Sequence, residues 1–309
     1  MEKRKIGNLE VSLAGLGTNN FGRRLDAART GDVVLAALNA GVTLFDTADI
    51  YGDGKSEEYL GRALGSRRGD AIIASKFGYD AVRQAPGTQA EWVPRALEAS
   101  LRRLGTDYID LYYYHKPDPT TPVAETLELM NRMLEQGTVR EIACSNFTAA
   151  QLDEAATAAA ERGLRGFAAV ENEFSLLERE PERGVLAACE RLGLSFVPYF
   201  PLASGLLTGK YRRGRSTPSG TRLGGGGRPA EEVVPAEKLA VVERLAEYAE
   251  AHGHTLLELA MSWLAAHDSV ASVIAGATSP EQMRANASAV GAWPLTNEDL
   301  AEVDAVLEP

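Results

Sequence analysis

The stretch Asp32-Val33-Val34-Leu35-Ala36-Ala37-Leu38-Asn39-Ala40-Gly41-Val42-Thr43-Leu44-Phe45-Asp46 decides the fold. Asp32–Ala40 forms a helical pattern that stops at Gly41, the residue type that ends helices in a left-handed conformation. Val42–Phe45 then reads as a short apolar strand. The strand delivers an acidic residue, Asp46, at its C-terminal end. The same order of helix, glycine, apolar strand and polar strand end recurs along the chain.

Working outward, the other candidate strands are Leu13–Leu16, Ala71–Ala74, Ile109–Tyr114, Val139–Ala143, Phe167–Val170, Ser195–Pro198 and Val270–Ile274. Several are dense in apolar residues with little alternation, which suits strands buried on both faces of a parallel sheet. Between them, Ser56–Leu64 ends at Gly65 and Val93–Leu104 ends at Gly105, with Leu97, Leu101 and Leu104 on one face. Val123–Glu135 stops before Gly137, Thr148–Arg162 before Gly163 with Thr148 as N-cap, and Glu182–Leu192 before Gly193. Ala236–Ala251 and Leu256–Ala266 follow the seventh strand. A β-α order throughout implies parallel strands with right-handed crossovers. Eight such units in 309 residues predict an α/β fold, a closed (β/α)8 TIM barrel spanning 1–309 as one domain. Residues 4–11 read as an N-terminal hairpin turning at Gly7-Asn8, placed to plug the barrel's bottom. Residues 211–235, rich in Gly, Arg, Ser and Pro, form a long loop after strand seven that overhangs the C-terminal face.

Composition narrows the function. Hydrophobic residues make up 45%, enough for a full core, and 32 basic against 43 acidic residues leave a net charge of −11. That balance argues against a nucleic-acid partner, which calls for a basic face. Cys144 and Cys189 sit among apolar residues and read as buried thiols of a reducing compartment. Met1-Glu2-Lys3-Arg4-Lys5 has no apolar stretch behind it, so no leader is expected. No uncharged run reaches the roughly 18 residues of a membrane span, so a cytoplasmic protein without a membrane partner is expected.

A barrel of this kind builds its active site at the C-terminal strand ends. There the sequence places Asp46 and, a few residues on, Tyr51; then Lys76, His115, Ser145 with Asn146, Glu171 and Tyr199. A tyrosine acid needs help at neutral pH, because its ordinary pKa is about 10. The ammonium of Lys76 is expected to lower it, and Asp46 to keep that ammonium charged. His115 suits a hydrogen bond to a substrate oxygen. No metal is needed. Taken singly, Asp46 reads as a helix cap, Lys76 as a solvated surface group and His115 as a loop histidine. Their convergence at neighbouring strand ends favours a site.

Thr43-Leu44-Phe45-Asp46-Thr47-Ala48-Asp49-Ile50-Tyr51-Gly52, Ala74-Ser75-Lys76-Phe77-Gly78 and Ile109–His115 resemble signatures of the aldo-keto reductase superfamily. So do residues 137–147 and 197–211, in order over nearly the whole chain. The segments Leu-Leu-Thr-Gly-Lys-Tyr and Gly276–Gln282 are most similar to its bacterial and potassium-channel-β-like branches. The resemblance implies NADP(H)-dependent reduction of a small-molecule aldehyde or ketone through an Asp46-Tyr51-Lys76-His115 tetrad, Tyr51 being the general acid. It also implies the cofactor contacts. Gly17, Thr18 and Asn19 line the nicotinamide side, Ser145 and Asn146 meet its carboxamide, and Tyr199 stacks on its ring. Pro201, Leu202, Ser204, Lys210 and Arg222 hold the pyrophosphate. Gly276, Thr278, Gln282 and Asn286 grip the adenosine and its 2′-phosphate, with NAD a weaker alternative.

Three positions depart from the family pattern. Glu171 stands where glutamine faces the carboxamide, Phe200 replaces a serine, and Ala285 replaces a glutamate. The resemblance also carries a second reading, a cofactor-holding regulatory barrel like the channel-β proteins. Those proteins depart from the histidine that this chain keeps as His115. A third reading makes Lys76 the Schiff-base nucleophile of a lyase. Asp46 and Tyr51 beside it are more natural for proton relay.

Overall fold

In a computed structural model, residues 1–79, 89–221, 223 and 227–308 are described, with Gln89 and Ala90 described as helix backbone only. Arg222 and Gly224–Gly226 therefore lie outside the described residues.

Strands β1 (Lys3–Ile6) and β2 (Leu9–Ser12) form an antiparallel hairpin turning at Gly7-Asn8. Then come β3 (Ala14–Gly17), β4 (Leu44–Asp46), β5 (Ile72–Phe77), β6 (Ile109–Tyr114), β7 (Val139–Ser145), β8 (Ala169–Glu173), β9 (Ser195–Tyr199) and β10 (Val273–Gly276). These eight are parallel, in the order β10-β3-β4-β5-β6-β7-β8-β9. The Phe196–Val270 bridge, with the amide of Ala271 donating to Phe196 O at 2.9 Å, joins β9 to the segment before β10 and closes the barrel. The (β/α)8 architecture and its N-terminal hairpin are thus present.

Most helices stop within a residue of the expected position, but Ala27–Asn39 and Gln89–Leu104 start earlier than expected and Val185–Leu192 starts later. Val123–Glu135 and Ala236–Ala251 match throughout. Thr148 caps the helix Ala149–Arg162 in a reciprocal box with Gln151. Strand boundaries differ more, chiefly at the C-terminal ends: β5 runs on through Lys76 and Phe77, and β8 through Glu173. Lys76 and Glu173 pair with the next strand although they are charged. The run starting at Val270 splits into an isolated bridge and β10.

The barrel's interior explains the glycines of β3. Leu44, Ala74, Leu111, Tyr113, Ala143, Ala169, Val197 and Ile274 point inward and pack with Ile6, Leu9 and Val11 of the hairpin. β3 contributes Gly15 there: a Cβ on it would sit 3.0 Å from Ser272 Oγ and 3.2 Å from Ile274 Cγ1. The hairpin is pinned by buried Glu141, whose Oε1 accepts from the Asn8 amide at 3.0 Å and from Asn8 Nδ2 at 2.8 Å. It closes the N-terminal end of the barrel.

Side chains alternate across a strand, so the next inward position lies two residues further along. From Leu44, Ala74, Tyr113, Ala143, Ala169 and Val197 that step reaches Asp46, Lys76, His115, Ser145, Glu171 and Tyr199. The apolar bottom of the barrel and its polar top are successive layers of the same strands.

Candidate active site

Lys76 is the centre of the polar layer. It is 0% exposed, yet charged partners surround it. Its ammonium forms a tight ion pair with Asp46 Oδ1, donates to Thr47 O at 3.0 Å and lies 3.4 Å from Glu171 Oε2. The rings of Tyr51 and Tyr113 lie 5.4 Å and 5.5 Å from the same nitrogen. Burial opposes the charge on Lys76, but Asp46, Glu171 and Tyr51 outweigh it and hold the ammonium above its ordinary range.

Tyr51 arrives on a turn, not a strand. Gly52, Asp53 and Gly54 all have positive φ. Gly52 is required by packing as well: a Cβ there would lie 2.6 Å from Phe21 O. This close approach fixes the Tyr51 turn against the loop that follows β3. Ser56 Oγ, in the first turn of the helix Lys55–Leu64, bonds to Thr18 Oγ1 at 2.7 Å and Thr47 Oγ1 at 2.9 Å, while Thr18 Oγ1 donates to Asp46 O. The hydroxyl of Thr18 is therefore engaged in holding the ends of β3 and β4 together.

The expected pull of Lys76 on Tyr51 is present, but burial outweighs it. Burial pushes the Tyr51 hydroxyl above its ordinary value; Lys76 pulls it back, but Asp46 and Glu171 push it up again. Lys76 does not dominate because burial of the hydroxyl is the larger effect and the two carboxyl groups add to it. His115 is pushed down to about 2 by burial and by Lys76, so it stands neutral. Its Nδ1 is buried without a hydrogen-bond partner among the described residues, and its ring meets Tyr51 edge-on at 6.2 Å and Tyr79 at 4.8 Å.

The strand ends opposite form a second group. Asn146 has φ +63° and uses its whole amide. Nδ2 donates to His115 O at 2.9 Å and Ser145 Oγ at 3.0 Å, and Oδ1 accepts from Tyr199 OH at 2.8 Å. Ser145 Oγ donates to Glu171 O at 2.8 Å. The half-buried Tyr199 ring is thus fixed at the C-terminal end of the barrel. Beyond it, Ala203, Ser204 and Gly205 take positive φ in succession, and Lys210 Nζ lies 2.7 Å from where a Cβ on Gly205 would be. Turns of this kind gather backbone amides towards an anion. Pro201 and Leu202 lead into that turn.

Past β10, Gly276 faces Asn19 and Asn20: its Cβ would lie 3.2 Å from Asn20 Nδ2 and 3.7 Å from Asn19 Oδ1. Gln282 Oε1 accepts from both the amide and the hydroxyl of Thr278 at 2.9 Å, and Asn286 Nδ2 donates to Gly276 O at 3.4 Å. Ser279 caps the helix Pro280–Ala289. Arg284 pairs with Glu281 at 3.1 Å. Arg29, from the helix Ala27–Asn39, brings Nη2 to 3.5 Å from Thr278 O. Sequence spacing held no signal for Arg29, because about 250 residues separate the two. Arg24 donates to Gly220 O, tying the loop after β9 to the loop after β3 across the top of the barrel. Arg222 lies outside the described residues.

Sequence reading also passed over a buried network behind the tetrad. Glu57 accepts from Ser75 Oγ at 2.6 Å and pairs with Arg103 Nε at 2.6 Å. Beside it, burial and Glu57 push Asp49 up to about 7.

This geometry meets the comparisons with known proteins. A model of the Aldo/keto reductase family matches residues 14–308, and the chain belongs to that family. Among its relatives, a probable voltage-gated potassium channel subunit beta from Oryza sativa subsp. japonica is 34% identical, over 100% of this chain and 97% of the relative. The Arabidopsis thaliana protein of the same description is 33% identical, over 96% and 93%. The aldo-keto reductase YhdN of Bacillus subtilis is 32% identical, over 97% and 91%. Both branches expected from the sequence are therefore represented. No helix among the described residues is long and apolar enough to cross a membrane.

Proposed function

We propose that this chain is an NADP(H)-dependent reductase of a small aldehyde or ketone, with Tyr51 as the proton donor. The observation that carries the reading is the clustering of Asp46, Tyr51, Lys76 and His115 at the C-terminal end of the barrel, with Lys76 fully buried among them. A nicotinamide nucleotide fits the residues beside them. The Tyr199 ring offers a flat wall, the Ala203–Gly205 turn with Lys210 suits the anionic linker, and Gly276, Asn286 and the Thr278–Gln282 segment suit the adenosine. Gly17, Asn19, Ser145, Asn146 and Glu171 complete the nicotinamide end.

The cofactor, when bound, supplies the hydride. The protein supplies the proton and the geometry. Neutral His115 hydrogen-bonds the carbonyl oxygen and orients it. Tyr51 gives its hydroxyl proton to that oxygen as negative charge develops there. The Lys76 ammonium, held by Asp46, stabilises the phenolate left behind. Arg29 beside Thr278 supplies the cation for a 2′-phosphate, which favours NADP(H) over NAD(H).

The test is loss of NADPH absorbance across a panel of aldehydes, ketones and sugars. Turnover with at least one class is expected. Tight cofactor binding without turnover on any of them would favour the regulatory barrel instead.

A further inference from the structure

Glu171 poses a problem of charge. Asp46 already neutralises Lys76, yet a second carboxyl lies 3.4 Å from the same ammonium. All three groups are buried, with exposures of 4%, 0% and 2% for Asp46, Lys76 and Glu171. Full ionisation would leave a net negative charge among buried groups with little access to water, which is costly. Two carboxyls sharing such a site hold a proton between them, and their titration belongs to the pair.

Among the described residues the surroundings supply no second cation. Facing Glu171 are Asp46 from β4, Lys76 from β5, Tyr113 from β6, Tyr199 from β9 and Tyr51 from its turn. The partner on β7 is Ser145, whose hydroxyl bonds the Glu171 backbone. His115 is neutral. Geometry assigns the proton. Asp46 holds the close ion pair, whereas Glu171 Oε2 makes no hydrogen bond among the described residues. Burial and the charge of Asp46 push Glu171 up to about 8, in the same direction.

We propose that Glu171 carries a proton at neutral pH and acts as a positioning residue whose ionisation weakens Tyr51 as an acid. With Glu171 neutral, Lys76 is opposed by Asp46 alone and can stabilise the Tyr51 phenolate. Once Glu171 releases its proton to solvent, its charge competes for the ammonium and raises the Tyr51 hydroxyl further. The coupling to Tyr51 rests on the proposed reductase reading; the proton on Glu171 does not.

Infrared difference spectra of the full chain without cofactor, recorded against pH, test the proton. The carbonyl stretch of a protonated carboxyl is expected below about pH 8 and should be lost above it. Glu171→Gln should remove that band, while Glu173→Gln, at an exposed neighbour, should keep it. Asp49, pushed to about 7, contributes a separate band that Glu171→Gln leaves in place. No band titrating near 8, or one that survives Glu171→Gln, overturns the assignment. The pH profile tests the coupling. Reduction by the natural protein should fall through the Glu171 transition, by at most about tenfold per unit, to a lower plateau, and Glu171→Gln should move that limb upward. An unmoved limb refutes the positioning role. Absence of any turnover would refute the reductase reading alone, because the spectra still decide the proton.

Discussion

The two ends of the barrel are made from the same strands and do opposite things. At the N-terminal end the inward positions are Leu44, Ala74, Leu111, Ala143, Ala169 and Val197, sealed by Ile6, Leu9 and Val11 of the hairpin. At the C-terminal end they are Asp46, Lys76, His115, Ser145, Glu171 and Tyr199. The first layer gains free energy by leaving water. The second places charged and polar groups where water is scarce, which is unfavourable unless each finds a partner. Lys76 finds Asp46, and Asn146 finds His115, Ser145 and Tyr199. His115 Nδ1 and Glu171 Oε2 make no hydrogen bond among the described residues. The difference teaches that stability is concentrated at one end and chemical potential at the other, within a few residues along each strand.

Substitutions at the two ends should therefore separate. Tyr51→Phe should reduce carbonyl reduction by about 10² to 10⁴, the usual worth of a positioned acid. Its melting temperature and NADPH affinity should stay close to those of the natural protein. Near-normal kcat would remove Tyr51 from the chemistry.

Lys76→Met should impair both properties, because it leaves two buried carboxyls without their cation. Breaking a buried pair costs about 3–5 kcal/mol. The loss should depend on pH in a definite sense. Asp46 and Glu171 both have raised values in the folded state, so the fold holds their protons more tightly than the unfolded chain does. The variant should be most stable in acid and lose stability as pH rises through those raised values. A melting-temperature difference from the natural protein that is flat with pH would show that the carboxyls are not coupled to Lys76.

Leu111→Ala tests the opposite end. It removes a buried side chain from the layer under the hairpin and should cost about 2–5 kcal/mol by denaturant unfolding. Below the unfolding transition, kcat per folded molecule should stay within a few-fold. A large kcat loss in the folded variant would mean that the two layers are coupled.

The smallest expected effect is at the rim. Arg29→Ala should weaken NADPH about three- to tenfold and leave NADH unchanged, as measured by calorimetric titration of both cofactors. Equal losses for both would place Arg29 in helix packing and not at the phosphate.

What could be read from the chain alone follows from what is local. Hydrophobic period, glycine stops and turn residues act within a few residues, so they announced eight strands, most of the helices and the hairpin at Gly7-Asn8. The polar residue two positions beyond each apolar one could be picked out for the same reason. The helix Asn297–Leu307 carried such a local signal as well, the Thr296–Asp299 capping box, and was passed over.

Tertiary structure alone decided which of those polar residues meet. It brought Glu171 to Lys76 across the barrel and Arg29 to Thr278 across the chain. It also set Asp49, Glu57, Ser75 and Arg103 in one buried network behind the tetrad. These meetings depend on strand register and on the closing of β9 against β10, which no short window contains. The same holds for the acidity of Tyr51. Its neighbours Asp46 and Lys76 were visible in the sequence, but the sign of the net shift is set first by burial, which only the folded chain decides.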